Sequence, residues 1–94
     1  PRALAARFDH VLRLDKRRSP HTARAYVATA HRLLDFLTGY RAEQPGLAML
    51  TSLQPVDLRA YLAHRRGEGL GASSAAREMS AVRAFLAFVA EQAG

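Results

Sequence analysis

The 94-residue chain contains no cysteine, one lysine, and no apolar run near the ~18 residues that a membrane-spanning helix needs. Without cysteine there is no disulfide framework and no thiolate metal site, which suits a reducing compartment. Without a long apolar run or a signal-peptide pattern, neither a membrane span nor secretion is expected. The chain begins at Pro1 rather than Met, as a fragment would. Its four histidines, His10, His21, His31 and His64, pair with no His, Asp or Glu at a metal-binding spacing. No Ser–His–Asp pattern, phosphate loop or paired acid cluster can be read. The expectation is therefore no metal, no cofactor, no small-molecule substrate and no active site. Strand alternation, internal repeats and low-complexity segments are missing as well.

What is abundant is positive charge. The net charge is +6, and thirteen of the fourteen basic residues are arginine. A GC-rich genome would explain the preference for Arg over Lys but not the surplus of cations. A small domain of pI about 11.1 points to a polyanionic partner. Arginine suits such a partner because its planar fork of donors matches phosphates and guanine edges.

Apolar spacing predicts four main helices and an all-α domain spanning residues 1–94. The first, about 2–16, carries Leu4, Phe8, Val11 and Leu12 on one face and closes on Lys16-Arg17-Arg18, cations that favour a helix C-terminus. The second, about 20–38, opens on Ser19 as N-cap with Pro20 in the first position. Its stripe is Tyr26, Val27, Ala30, Leu33, Leu34 and Leu37, and Gly39 offers a stop. Residues 39–53 read as a loop whose Leu47, Met49 and Leu50 tuck beneath the bundle. A third helix, about 55–66, has Leu58, Tyr61 and Leu62 inward, before Gly67, Gly69 and Gly71 break the chain. The fourth, about 73–90, has a core stripe of Ala75, Met79, Val82, Leu86 and Val89, with Phe85 at its edge.

Two helix starts hold the chemistry. A capping box would place Glu or Gln three residues after Ser19, but Thr22 stands there. A hydroxyl in the first turn, beside unpaired backbone N–H groups, makes a phosphate site. The face opposite the apolar stripe then reads His21, Arg24, Ala25, Ala28, His31 and Arg32. An ordinary solvated helix face is the competing explanation. The fourth helix follows the glycine-rich GEGLGASS with hydroxyls at Ser73 and Ser74, Arg77 one turn later, Ser80 beyond it and Arg83 on the flank. A face of Ser, Ala and one Arg permits close approach, either by a ligand or by another helix as a packing seam.

Together the two starts resemble a known family. S-P-H-T-A-R-A-Y at 19–26 resembles the S-x-x-T-x-x-x-Y signature of the tyrosine recombinases. D-L-R-A-Y-L-A-H-R at 57–65 and G-L-G-A-S-S-A-A-R-E-M-S-A-V-R-A-F at 69–85 are similar to later stretches of its Xer and phage-integrase members, the last especially to Xer-type chromosome-dimer resolvases. The resemblance implies a SAM-like orthogonal bundle, the N-terminal core-binding domain that forms half of a C-shaped clamp on DNA. Thr22 falls on the family's phosphate-contacting Thr. Arg24 and Ala25 fall on neighbouring contact positions, and Ser73, Ser74 and Arg77 on those of the second DNA-facing helix. The family's tyrosine nucleophile and its Arg, Lys and His partners belong to a separate C-terminal domain outside these 94 residues.

The resemblance therefore implies a fragment that binds a recombination site in double-stranded DNA without cutting it. The implied companions are other recombinase protomers in a tetramer on DNA, and the implied setting is the cytoplasm at the nucleoid. The alternative from another functional class is a small helical protein-interaction module, since fold does not fix function.

Overall fold

A computed structural model describes residues 2–94. The helices run α1 (Arg2–Leu14), α2 (Pro20–Arg41), α3 (Leu47–Thr51), α4 (Pro55–Gly67) and α5 (Ala72–Ala93). No strand occurs among the described residues. The all-helical expectation holds, but a short fifth element joins the four long ones. Residues 47–51 form one helical turn within the stretch read as loop, and its Met49 and Leu50 join the main core while Leu47 stays exposed.

The core is built where α2 crosses α5. Leu33, Leu34 and Leu37 meet Val82, Phe85 and Val89, all essentially inaccessible to water. α1 closes one side with Leu4, Ala5, Phe8 and Leu12. The Phe8 ring lies 5.2 Å from Phe85 and 5.4 Å from Phe88, both tilted, a favoured aromatic geometry. That double contact turns α5 about its axis relative to the sequence expectation. Phe85 sits at the centre of the buried face rather than its edge, and Met79 and Leu86 are the half-buried margins. On α1 the buried face leans toward Ala5, which leaves Val11 49% exposed instead of inside.

Two helix ends also differ from expectation. α1 stops at Leu14 because Asp15 turns the chain, its carboxylate accepting from the backbone N–H of Arg17 at 3.0 Å. Lys16, Arg17 and Arg18 therefore form a turn rather than a last helical turn. α2 does not stop at Gly39. It continues to Arg41 and ends with Ala42 in the left-handed region at φ 57°. Glycine within a helix costs about 1 kcal/mol relative to alanine. The last turn of α2 is held from outside by the buried Asp57 of α4, which accepts from Tyr40 Oη at 3.2 Å and pairs with Arg41 at 3.1 Å.

α4 brings little apolar surface to this assembly. Of its buried residues, one is Tyr61 and the other is Asp57. Asp57 also accepts from the backbone N–H of Gln54 at 2.7 Å. That bond, with those from Tyr40 and Arg41, outweighs burial and holds its carboxyl below the usual range. The second anchor is Glu78 of α5, itself buried. It accepts from Tyr61 Oη at 2.7 Å, Arg65 Nε at 3.0 and 3.1 Å, and Arg32 Nε at 2.9 Å. Burial pushes this carboxyl up, but the three donors prevail and leave it below its ordinary value. The Tyr61 hydroxyl is pushed far up, first by burial and then by the carboxylate it faces. One side chain thus ties α2, α4 and α5 together.

Phe85→Ala removes the centre of the core and is expected to cost about 3–5 kcal/mol in urea denaturation. Val11→Ala, an exposed truncation, should change stability by about 0.5 kcal/mol or less. Glu78→Ala leaves two guanidiniums facing an emptied site, and a loss of about 3–5 kcal/mol is expected. Both anchoring carboxylates are depressed, so their stabilisation is present above the ordinary values of 3.8 and 4.5 and is lost as pH falls through the lower folded values. Thermal melts followed by circular dichroism should therefore show the melting temperature dropping below about pH 4.5. Glu78→Gln should flatten part of that drop.

Candidate nucleic-acid interface

The N-terminus of α2 is closed by a hydroxyl pair. Ser19 Oγ accepts from the backbone N–H of Thr22 at 3.0 Å and donates to Thr22 Oγ1 at 3.0 Å. Thr22 thus replaces the acid of a capping box, and its own hydroxyl hydrogen remains available to an outside acceptor. The first turn is less open than the sequence suggests. Pro20 has no N–H and Ser19 takes that of Thr22, which leaves His21 as the uncapped donor there. The start of α5 is the freer one, since Gly71 at its N-cap provides no side chain. Neither first turn carries an acidic residue, so the positive ends of both helix dipoles are unopposed.

The α2 start opens on a groove whose α5 wall begins at Arg77, one turn past the α5 start. Between α2 and α5 lies a concavity of about 790 Å³ lined by His21, Thr22, Ala25, Tyr26, Ala28, Thr29, Arg32, Arg77, Ser80 and Ala81. Of the ten residues expected to contact DNA, six line it, His21, Thr22, Ala25, Arg32, Arg77 and Ser80, together with Ala28 of the same α2 face. The alanines keep its α2 wall low, and Tyr26 forms part of its side under the Arg18 guanidinium, 5.0 Å above the ring. The other four lie around the rim or beyond it. Ser74 is half-buried and accepts from Arg77 Nη2 at 3.4 Å, steadying that guanidinium over the start of α5. Ser73 and Arg24 are exposed outside the lining. Arg83, six residues past Arg77, lies a third of the way round α5 from it. His31, placed by sequence on the same face, instead meets Arg2 of α1 at 2.6 Å.

Arg32 behaves differently from the other cations of the groove. Its Nε donates to Glu78 and its Nη2 to Thr29 Oγ1 at 3.0 Å, while its side chain remains 42% exposed. Sequence reading missed Tyr26, Thr29 and Ala81 as lining and Glu78 as the support beneath. Thr29 stood three residues before Arg32, a spacing at which helical side chains meet. Glu78 lies 46 residues from Arg32, and no local pattern could pair them.

Six of the eight acids, Asp9, Asp15, Asp35, Asp57, Glu68 and Glu78, are paired with arginine. Seven cations have no carboxylate partner among the described residues: Arg24, Arg77 and Arg83 around the two helix starts, Lys16 in the turn before α2, and Arg7, Arg59 and Arg66 elsewhere on the surface. Among the described residues no cluster of His, Asp and Glu could hold a metal ion, and no helix is long and apolar enough to cross a membrane.

The chain is similar to bacterial proteins named tyrosine recombinase XerC. It is 38% identical to that of Mesorhizobium japonicum over 84% of its own length and 25% of the relative's. It is 40% identical to that of Agrobacterium fabrum over 77% and 23%, and 37% identical to that of Methylobacterium nodulans over 89% and 26%. The chain thus spans about a quarter of the length of the curated relatives it matches. No solved structure matches it significantly. The profile of the family described as "Phage integrase, N-terminal SAM-like domain" matches residues 5–93, almost the whole five-helix bundle, and the chain belongs to that family.

Proposed function

We propose that this domain is the DNA-binding half of a site-specific tyrosine recombinase, laid on duplex DNA along the α2–α5 groove. The observation that carries the reading is the convergence of Thr22 and Arg77 on one groove, from helices that start more than 50 residues apart in sequence, on a chain of net charge +6. Thr22 offers a hydroxyl to a phosphate, the α5 start offers uncapped backbone N–H groups, and Arg77 adds a cation between them. Ala25 and Ala28 let the backbone approach but are too short to read bases. Sequence preference then rests on arginine and on DNA shape.

The resemblance to the tyrosine recombinases supplies the rest of the proposal. The strand-breaking chemistry belongs to a part of the recombinase beyond this domain, so this domain positions DNA and does not cleave it. Its companions are other recombinase protomers, four assembled on two recombination sites, and its setting is the cytoplasm at the nucleoid. His21, Thr22, Arg32 and Arg77 supply the groove with donors suited to a sugar-phosphate track, beside three alanines and Tyr26.

Titration of a labelled duplex in a salt series tests the reading. Binding should weaken linearly on logarithmic axes as salt rises, with Kd on the order of 10⁻⁴ to 10⁻⁶ M near physiological salt for a domain that grips one side only. Arg77→Ala should weaken binding on every sequence and lower the salt slope by about one. Arg24→Ala should act in the same direction. Both should leave the melting transition nearly unchanged, since exposed sites move stability by about 0.5 kcal/mol or less. Salt-independent binding, or none in dilute buffer, would reject the proposal. An Arg77→Ala domain that unfolds would make Arg77 structural instead.

A further inference from the structure

We infer that Glu78 and Thr29 are positioning residues, which lock the Arg32 guanidinium with one edge turned outward so that it takes an in-plane pair of acceptors from DNA. This inference rests on the DNA-binding reading above and adds to it how one contact is pre-set. A guanidinium has five N–H donors in a fixed plane. In Arg32 the Nε donor goes to Glu78 Oε1 at 2.9 Å and one Nη2 donor to Thr29 Oγ1 at 3.0 Å. Both bonds lie on the same side of the group. The opposite edge, formed by Nη1 and the second Nη2 hydrogen, has no partner among the described residues, and the side chain lines the α2–α5 groove as well as a second concavity between α2 and α4.

The two supports are themselves fixed. Glu78 is held by Tyr61 and Arg65, and Thr29 Oγ1 donates to the carbonyl of Ala25 at 3.1 Å, which leaves its lone pairs to Arg32. Both are buried. A surface arginine ordinarily loses side-chain freedom when it binds, whereas this one is already ordered. The cluster of Arg32, Arg65, Glu78 and Glu68 carries no net formal charge, since Arg65 also meets Glu68 at 3.0 Å. Arg32 therefore contributes directed donors more than long-range field, in contrast to Arg77. Two parallel N–H groups fit either two phosphate oxygens or guanine O6 and N7.

The test compares charge with direction, using two labelled duplexes of equal length, one of alternating A·T and one of alternating G·C. Arg32→Lys keeps the charge but loses the fork. It should weaken binding as much as Arg32→Ala, on the order of tenfold. A loss equal on both duplexes assigns the acceptors to phosphate, and a loss confined to G·C assigns them to guanine. Glu78→Gln removes a negative charge, so a pure field effect would tighten binding. Positioning predicts the opposite, several-fold weaker binding by a domain that still melts cooperatively. Thr29→Val, near-isosteric, removes the second support without touching charge and should weaken binding in the same direction. Wild-type affinity in Arg32→Lys on both duplexes, or in folded Thr29→Val, overturns the inference while leaving the DNA reading intact. A wild-type domain that binds neither duplex overturns both.

Discussion

A single buried carboxylate sets the relation among three helices. Glu78 costs free energy to remove from water, and an apolar side chain of similar size would often stabilise the fold as well or better. What it supplies is orientation. Its oxygens accept from Tyr61, Arg65 and Arg32, so α4 and α2 are fixed against α5 by bonds with direction as well as by area. This matters most for α4, whose buried residues are only Tyr61 and Asp57. Apolar packing alone would let such a helix slide or rotate. It is pinned instead at two points, Asp57 to the last turn of α2 and Tyr61 with Arg65 to Glu78 in the second turn of α5.

The same constraint reaches the groove. Phe8 wedged against both Phe85 and Phe88 fixes the rotation of α5, and that rotation carries Arg77, Ser80 and Ala81 toward α2. Glu78, one residue from Arg77, faces inward from the same turn. Core and candidate interface are consequently two sides of one helical register. Arg32 belongs to both: its Nε is held by the buried Glu78 while the residue lines the groove. The Ser19–Thr22 hydroxyl pair is a smaller case of the same economy, a cap that leaves one hydrogen outward.

Much of this could be read from the sequence, and the parts that could not have physical reasons. The four long helices were legible because their leucines recur with helical period and because Ser19-Pro20 announces a start. Thr22 and Arg77 were legible as candidates because hydroxyls and arginine stand where helix N-termini leave donors open. The rotation of α5 was not, since periodicity marks a broad apolar face and only contact with Phe8 chooses its centre. Gly39 misled because its local cost is set against a distant acid, Asp57, that no window around α2 contains. The short α3 lies in a stretch with one turn's worth of apolar residues, too few to show a period. The role of Glu78 was the least visible of all. In sequence it is an ordinary acid between Arg77 and Met79, and its partners arrive from 13, 17 and 46 residues away.

The Cα framework measures about 33 × 31 × 18 Å, which makes the domain a tile rather than a ball. At that thickness it is scarcely two helices deep, so every buried side chain lies within one layer of an outer surface. A tile has two broad sides that can be covered at once without steric conflict, so a contact made on one need not displace a contact made on the other. It also has no deep interior in which to absorb distortion, and a shift imposed on one side is felt directly on its reverse.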